Sequence, residues 1–397
     1  MKEVDLLIIG SGPAGLSTAL HLLKQDAGWA GRMLLIEKAA HPRPKLCAGG
    51  VTRIGLDTLR DLGLQLPLPI PGVEIEEARL IYKGSRISMR GQPVFVVYNR
   101  IEFDAFLSQY ARQQGVVIHE NEAVQGISIK PQGVEVTTSQ NIFRAEVVVG
   151  ADGSKGISRK LIRGFGSNSR VARVLETLYP AQGSEAPFTE AFATFNFTPS
   201  QQGLQGYYWE FPSKVDNQPH FNRGVYDSRF VSGRERADLP PILTAQINND
   251  HENQSDVSFQ GHPVHWFHPG NRFALPRMLL VGDAAGVDSL FGEGIGSALA
   301  YGKLAAEAMN RAFQRQDFSF SNYKRRLLTS TLGRYLLFRW FLAWLSYHLS
   351  GSSLFMNTVW AVGKLSVALW PKPDPLYSTG SQKGDSASND RFKDYAK

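Results

Sequence analysis

The sequence predicts an α/β protein: a parallel-sheet domain assembled from separated segments, with an inserted antiparallel-sheet domain and helices at the C-terminal end. Three observations predict it. A strand runs into a glycine turn and then a helix in "VDLLIIGSGPAGLSTALHLLKQ". Two further strand-turn segments, "RAEVVVGADGS" and "RMLLVGDAAG", lie far downstream. Between the first strand-turn unit and the last stand alternating stretches such as "EARLIYKGSRISM" and "EAFATFNF", with the period of a half-buried antiparallel sheet. At 397 residues the chain exceeds one ordinary core, so two domains with an appendage are expected.

In chain order, residues 4–37 read as strand, glycine turn, helix and strand. "RIEFDAFLSQYARQQG" reads as a helix, and a small-residue helix is expected from about 294 to 312. The nucleotide-binding domain is assigned to residues 1–72, 99–168 and 270–312, and the inserted substrate domain to 73–98 and 169–269. Residues 313–372 are expected to form a helical, membrane-facing segment, and the polar tail 373–397 to be disordered.

Composition bounds the function. Hydrophobic residues at 43% and charged residues at 20% describe a folded globular chain. A single cysteine excludes an intrachain disulfide, and "MKEVD" enters the first strand with no signal-peptide pattern. A cytoplasmic protein, peripheral at the cytoplasmic face of a membrane, is the expectation. The net charge of +7 suits nucleic acid, anionic lipid or an anionic substrate. Without zinc-finger spacing, an RNA-binding signature or a dense basic run, nucleic acid is set aside, and no metal site is expected.

"GSGPAG" places Gly10, Gly12 and Gly15 in the spacing of a Rossmann-type dinucleotide site. The first glycine makes the tight turn, the second lets backbone approach a pyrophosphate, and the third lets helix pack on strand. The helix N-terminus then faces the phosphates. Glu37 ends the next strand, where a carboxylate accepts hydrogen bonds from ribose hydroxyls. Asp283, at the end of a later strand, is placed to accept from hydroxyls of a bound cofactor. The helix beginning near Gly294 would point its free N–H groups and positive end the same way.

"GADGSKGISR" (150–159), "LLVGDAAG" (279–286) and "RIEFDAFL" (100–107) resemble further fingerprints of FAD enzymes with the para-hydroxybenzoate hydroxylase fold, which makes the expected cofactor FAD. "PKLCAGG" (44–50), "YYWEFP" (207–212) and "GDAAG…GEGI" together resemble the geranylgeranyl reductase family over residues 4–312. Gly156 stands where a serine is usual, and Ser289 where a proline commonly precedes "GEGI". The resemblance implies an FAD-dependent reductase that saturates C=C bonds of a polyprenyl chain. It places cofactor contacts on Ala14, Glu37, Cys47, Ala48, Gly50, Arg100, Val124, Asp283, Gly294 and Ile295. Tyr207, Trp209 and Phe211 would line the substrate cavity, with Tyr207 and Trp209 beside the chemistry.

Chemistry gives Cys47 two readings. Hydride addition to an unactivated alkene leaves charge on the second carbon, so a proton source is needed nearby, and an unperturbed thiol is protonated at neutral pH. A lone cysteine also serves as a small buried hydrophobe. Alternation puts Tyr207, Trp209 and Phe211 on one face, as sheet core or as a prenyl-binding wall. Lys45 and Arg43 suit a substrate diphosphate or carboxylate, or are simply solvated. "RYLLFRWFLAWLSYHLSGSSLFMNTVWAVGKLSVALW" (334–370) carries no Asp, Glu, Lys or Arg from Trp340 to Gly363. "SYHLSGSS" interrupts it, so two shorter amphipathic helices against a membrane surface are expected rather than a span. The substrate is expected to be an isoprenoid or prenylated lipid. No second nucleotide fingerprint is present, so NAD(P)H or a ferredoxin-like protein would meet the flavin transiently. The competing functions are a flavin monooxygenase or halogenase acting on an aromatic substrate, and a flavin-stabilised lipid-binding protein.

Overall fold

The computed structural model describes residues 1–163, 171–250, 258–350 and 352–369. The domain boundary at 168/169 and the tail 373–397 lie outside the described residues. The chain opens with β1 (Lys2–Ile9), α1 (Pro13–Gln25) and β2 (Met33–Ile36), then β3 (Gly50–Thr52) and α2 (Arg53–Asp61). A long hairpin of β4 (Gly72–Tyr82) and β5 (Ser85–Tyr98) precedes α3 (Arg100–Gln113), β6 (Val117–His119), β7 (Val124–Lys130), β8 (Gly133–Thr138), β9 (Ile142–Gly150) and α4 (Ile157–Arg163). There follow β10 (Val171–Pro180), α5 (Ala186–Thr189), β11 (Phe192–Asn196), β12 (Gly206–Val215), β13 (Gln218–Asp227), α6 (Leu239–Asp250) and β14 (Gln260–His265). The chain returns through β15 (Ala274–Leu275), β16 (Met278–Leu280) and α7 (Ile295–Arg315), and finishes in α8 (Tyr323–Thr329), α9 (Thr331–Leu349) and α10 (Ser353–Leu369).

Two eight-stranded sheets result. The first runs β15-β16-β9-β1-β2-β6, with the β7–β8 hairpin paired to β9. Pairs β16–β9, β9–β1, β1–β2 and β2–β6 are parallel. The central strands are covered on both faces, which is why "LLII" and "VVVG" are unbroken apolar runs rather than alternating ones. Three distant segments therefore build one sheet, as the repeated strand-turn pattern implies.

The second sheet runs β14-β10-β13-β12-β11-β4-β5-β3. It is antiparallel except for the β11–β4 pair. Its edge strand β3 comes from the segment assigned by sequence to the nucleotide-binding domain. Gly50 pairs with Val97, and this carries the chain straight from the cofactor loop into the second sheet. The inner face of this sheet buries Tyr207, Trp209, Phe211, Tyr226 and Val264, while α6 covers the outer face over Tyr208 and Val225.

Helices α9 and α10 divide the apolar C-terminal stretch in two, as the polar interruption predicts, and no helix among the described residues is long and apolar enough to cross a membrane. Trp360 and Met356 of α10 pack on Tyr82 and Ile87 of the long hairpin. Phe338, Phe341 and Trp344 of α9 and Leu354, Val362 and Leu365 of α10 remain exposed, Leu354 by 77%.

Candidate functional site

The strand-turn-helix at the N-terminus builds the phosphate end. Gly10 leaves β1 at φ +102°, where a Cβ would lie 2.5 Å from the Ala151 carbonyl oxygen. A Cβ on Gly15 would lie 2.0 Å from the Gly10 carbonyl oxygen, so the third glycine seats α1 on the turn. No side chain caps α1 at Gly12, and its first N–H groups stay available to a phosphate. Gly15→Ala is therefore expected to cost about 1–3 kcal/mol by overpacking and to release FAD, as read by the flavin absorbance that remains with the purified protein.

Glu37 is buried just after β2. Its Oε2 accepts from the Ser11 N–H at 3.0 Å and the Ser11 hydroxyl at 3.2 Å. Arg43 reaches both Glu37, at 3.5 Å, and Asp104, at 3.4 Å. Asp104 in turn takes a two-pronged hydrogen bond from Arg100, both contacts 2.7 Å. Arg43 thus ties Glu37 to the buried Arg100–Asp104 pair.

At the far end, Asp283 follows β16 and accepts from Ser154 Oγ at 3.4 Å. Gly294 precedes α7 with no side-chain cap of its own, and Glu293 Oε1 instead accepts the Gly296 N–H at 2.7 Å. Burial pushes the Glu293 carboxyl up from its ordinary value. Gly156 also has a structural reason: a Cβ there would fall 2.1 Å from Asp152 Cγ, while Asp152 Oδ2 accepts the Ser158 N–H at 2.9 Å.

These segments surround one cavity of about 600 Å³. Gly10, Gly12, Ala14, Glu37, Lys45, Cys47, Arg100, Val124, Asp283, Gly294 and Ile295 all line it. The residues fit FAD: the uncapped N-terminus of α1 opens toward the cavity, Glu37 and Asp283 line it as carboxylates able to accept from hydroxyls, and Gly12 leaves room where its nearest neighbour would be Arg43 at 3.7 Å.

Gly15, Ala48 and Gly50 stand behind this lining. Ala48 packs against the inner-face cluster of the second sheet, and a Cβ on Gly50 would touch the Phe95 ring at 3.5 Å. Tyr207, Trp209 and Phe211 also lie outside the 600 Å³ cavity. They are buried in an aromatic cluster with Phe95, Phe195 and Phe291, ring centroids 5.1–5.5 Å apart for the closest pairs. Tyr207 donates to the Phe291 carbonyl at 2.5 Å.

Trp209 instead reaches the cysteine loop through one neighbour. Its indole N–H donates to Asn222 Oδ1 at 2.7 Å, and Asn222 Nδ2 donates to the Cys47 carbonyl at 3.2 Å. The Cys47 thiol accepts the Gly49 N–H at 3.4 Å. Burial pushes this thiol up, a shift that Arg100 opposes and Glu176 reinforces, so it holds its proton at neutral pH. Glu176, on the inner face of β10, is buried, and burial pushes its carboxyl up to about 7. Sequence reasoning missed Glu176, Asn222 and His262. None of them sits in a local motif, and only the register of β10, β13 and β14 brings them over the cysteine.

The C-terminal helices are clipped to the cofactor loop. Asp288, fully buried, accepts from Arg339 of α9 at 2.7 and 3.0 Å and caps the N–H groups of Leu290 and Phe291. Tyr347 of α9 donates to the Leu290 carbonyl at 2.7 Å. The loop leading to Gly294 is therefore held from the side of the molecule that carries the exposed apolar face.

A parallel-sheet nucleotide cradle with an FAD-fitting cavity, joined to an antiparallel sheet, is the arrangement of a flavoprotein oxidoreductase. Residues 3–299 match the family model of the FAD binding domain. A digeranylgeranylglycerophospholipid reductase of Methanoculleus marisnigri is 30% identical over 336 residues, 80% of this chain and 79% of its own. One of Methanosarcina acetivorans is 27% identical over 362 residues, 83% and 82% of the two chains. This chain belongs to the FAD binding domain family and, within it, to the geranylgeranyl reductase family of FAD-dependent oxidoreductases. Among solved structures, a geranylgeranyl bacteriochlorophyll reductase-like protein of Thermoplasma acidophilum aligns with a TM-score of 0.75 at 20% identity, covering 92% of both chains. A p-nitrophenol 4-monooxygenase of Pseudomonas putida aligns at 0.68 and 16%, covering 92% of this chain and 94% of its own. Both share the fold.

Proposed function

We propose that the protein saturates isolated C=C bonds in a geranylgeranyl or longer polyprenyl chain carried on a lipid. The observation that carries this reading is the place of Cys47 on the wall of the FAD cavity, its carbonyl held by Asn222 of the second sheet and its thiol pushed up by burial. When bound, the reduced flavin supplies a hydride. The chain's own task is then to place a proton opposite that hydride. A neutral thiol at this position does so without leaving charge on carbon.

The aromatic cluster of Tyr207, Trp209 and Phe211 is the wall against which the prenyl chain is proposed to lie, continuous with Phe195 and Phe291. Lys45, on the cavity wall, is the proposed partner of an anionic lipid head. The lipid would enter from a membrane surface. The exposed apolar residues of α9 and α10 support this, and so does charge: between Asp317 and Asp374 the sequence holds no acidic residue, while Lys324, Arg325, Arg334 and Lys364 stand there. The proposed reductant is NAD(P)H or a ferredoxin-like protein that meets the flavin at the rim formed by Lys38, Lys155 and Lys160.

The test is reoxidation of the dithionite-reduced protein under argon by a geranylgeranylated glycerophospholipid. Bleached flavin absorbance should return with lipid alone. Return only on admitting oxygen, with an aromatic substrate consumed, would favour the second reading, a monooxygenase or halogenase. The fold shared with the nitrophenol monooxygenase is what favours that reading.

A further inference from the structure

We propose that Arg339 of α9 is a positioning residue for the flavin: paired with Asp288, it fixes the loop from Asp288 to Gly294 that walls the cofactor cavity. Helix α9, which lies beyond the matched segment 3–299, thereby completes the FAD site. The role is independent of the alkene chemistry proposed above.

Arg339 stands where an apolar residue is expected. Leu332, Leu336, Ala343 and Tyr347 form the buried stripe of α9, and Arg339 falls within it, between Leu336 and Ala343. A charged side chain is kept at such a position only when it is paired. Its partner is Asp288, fully buried, whose Oδ2 accepts from Arg339 Nε at 3.0 Å and from a terminal guanidinium nitrogen at 2.7 Å. The guanidinium also lies over the Phe291 ring, 4.5 Å from its centroid. The opposite side of the same helix presents Phe338, Phe341 and Trp344 to solvent.

Asp288 in turn organises the loop. Its carboxylate accepts the Leu290 N–H at 2.8 Å and the Phe291 N–H at 3.3 Å, and its carbonyl accepts the Gly292 N–H at 3.1 Å. The Asp288 N–H donates to the Glu293 carbonyl at 3.3 Å, which closes the turn. Three tyrosines from three elements take the loop's outward carbonyls. Tyr226 of β13 donates to that of Ser289 at 3.2 Å, Tyr347 of α9 to that of Leu290 at 2.7 Å, and Tyr207 of β12 to that of Phe291 at 2.5 Å. With its donors and acceptors engaged by protein, the loop is held as a rigid plate.

Both ends of this plate reach the cofactor site. Val287 on one side and Gly292, Gly294 and Ile295 on the other line the cavity of about 600 Å³. Gly292 is seated directly on the second sheet, because a Cβ there would fall 2.7 Å from the Tyr226 ring. Arg339 and the three tyrosines stand outside the cavity lining, so they act on the cofactor through the loop. Arg339 is the one cation among these holding groups. Without its guanidinium, Asp288 becomes a buried charge with no counter-ion. It regains water only by turning outward, and the loop that it caps moves with it.

The test follows release of FAD from the loaded full-length protein, read as recovery of flavin fluorescence on dilution, with the melting temperature measured beside it. Arg339→Met keeps the apolar stem and loses the charge, and it should release FAD at least about tenfold faster than the wild type. Arg339→Lys keeps a charge for Asp288 but loses the planar fork, and it should fall between the two, about threefold faster than the wild type. Leu336→Ala is the control for stability alone. It opens a cavity in the same buried stripe of α9 and removes no hydrogen bond from the loop. Its melting temperature should drop while FAD release stays within about twofold of the wild type. Release from Arg339→Met no faster than from Leu336→Ala would overturn the proposal and leave the ion pair as a fastener of α9. If Arg339→Met does not fold, Arg339→Lys decides: release at the wild-type rate rejects the positioning role.

Discussion

Cys47→Ser is expected to retain FAD and lose most turnover, by about 10²–10⁴-fold, the range general acid catalysis contributes. Retention follows from geometry. The carboxylates and helix N-termini that line the cavity do not involve the thiol, and the Cys47 peptide is held through its carbonyl by Asn222. Loss follows from acidity, because a serine hydroxyl is a far weaker acid than a thiol and leaves the alkene carbon without its proton. The flavin spectrum, the melting temperature and the turnover number read the two halves separately. Turnover equal to wild type would return Cys47 to the role of a small packing residue.

The second large effect concerns the exposed apolar face. Replacing Phe341, Trp344 and Leu354 together by serine is expected to weaken binding to anionic vesicles by about 10²-fold or more. Each such side chain contributes about 1.5–3 kcal/mol when fully buried in an apolar phase, and only part of that is realised at an interface. The three side chains are 45–77% exposed, so the folded core should tolerate the change. Vesicle flotation measures the binding, and its dependence on phosphatidylserine content and salt reports the basic residues beside the face. Turnover on detergent-dispersed lipid should survive in this variant, which separates docking from chemistry.

How much of this is legible in the sequence depends on how local the physics is. Gly10, Gly12 and Gly15 are legible because a tight turn and a close helix–strand contact act within six residues. The division of the C-terminal stretch is legible from "SYHLSGSS", which breaks α9 from α10 at the predicted place. Strand β3 is not, because three residues of "GVT" carry no period of their own and join the second sheet only through β5. Glu176 and Asn222 are equally silent. Each reads as one polar residue in an alternating strand, and only the β10–β13 register, with Glu176 opposite Gly224 and Asn222 opposite Leu178, puts both on the inner face, where Asn222 reaches a loop far away in the chain. Asp288 and Arg339 form a buried pair across 51 residues, which no spacing rule anticipates. The aromatic stripe shows both the strength and the limit of pattern. Alternation correctly puts Tyr207, Trp209 and Phe211 on one buried face, but it does not say that Trp209 reaches the cysteine through Asn222.

The account stands on alkene reduction, and product mass tests it most directly. The purified flavoprotein, reduced with dithionite and kept free of oxygen, is mixed with geranylgeranylated glycerophospholipids, and the recovered lipids are weighed by mass spectrometry. The account predicts products heavier in steps of about two mass units, one hydrogen pair for each double bond saturated. Lipids recovered unchanged, with an aromatic substrate instead gaining about sixteen units when oxygen is admitted, would contradict it.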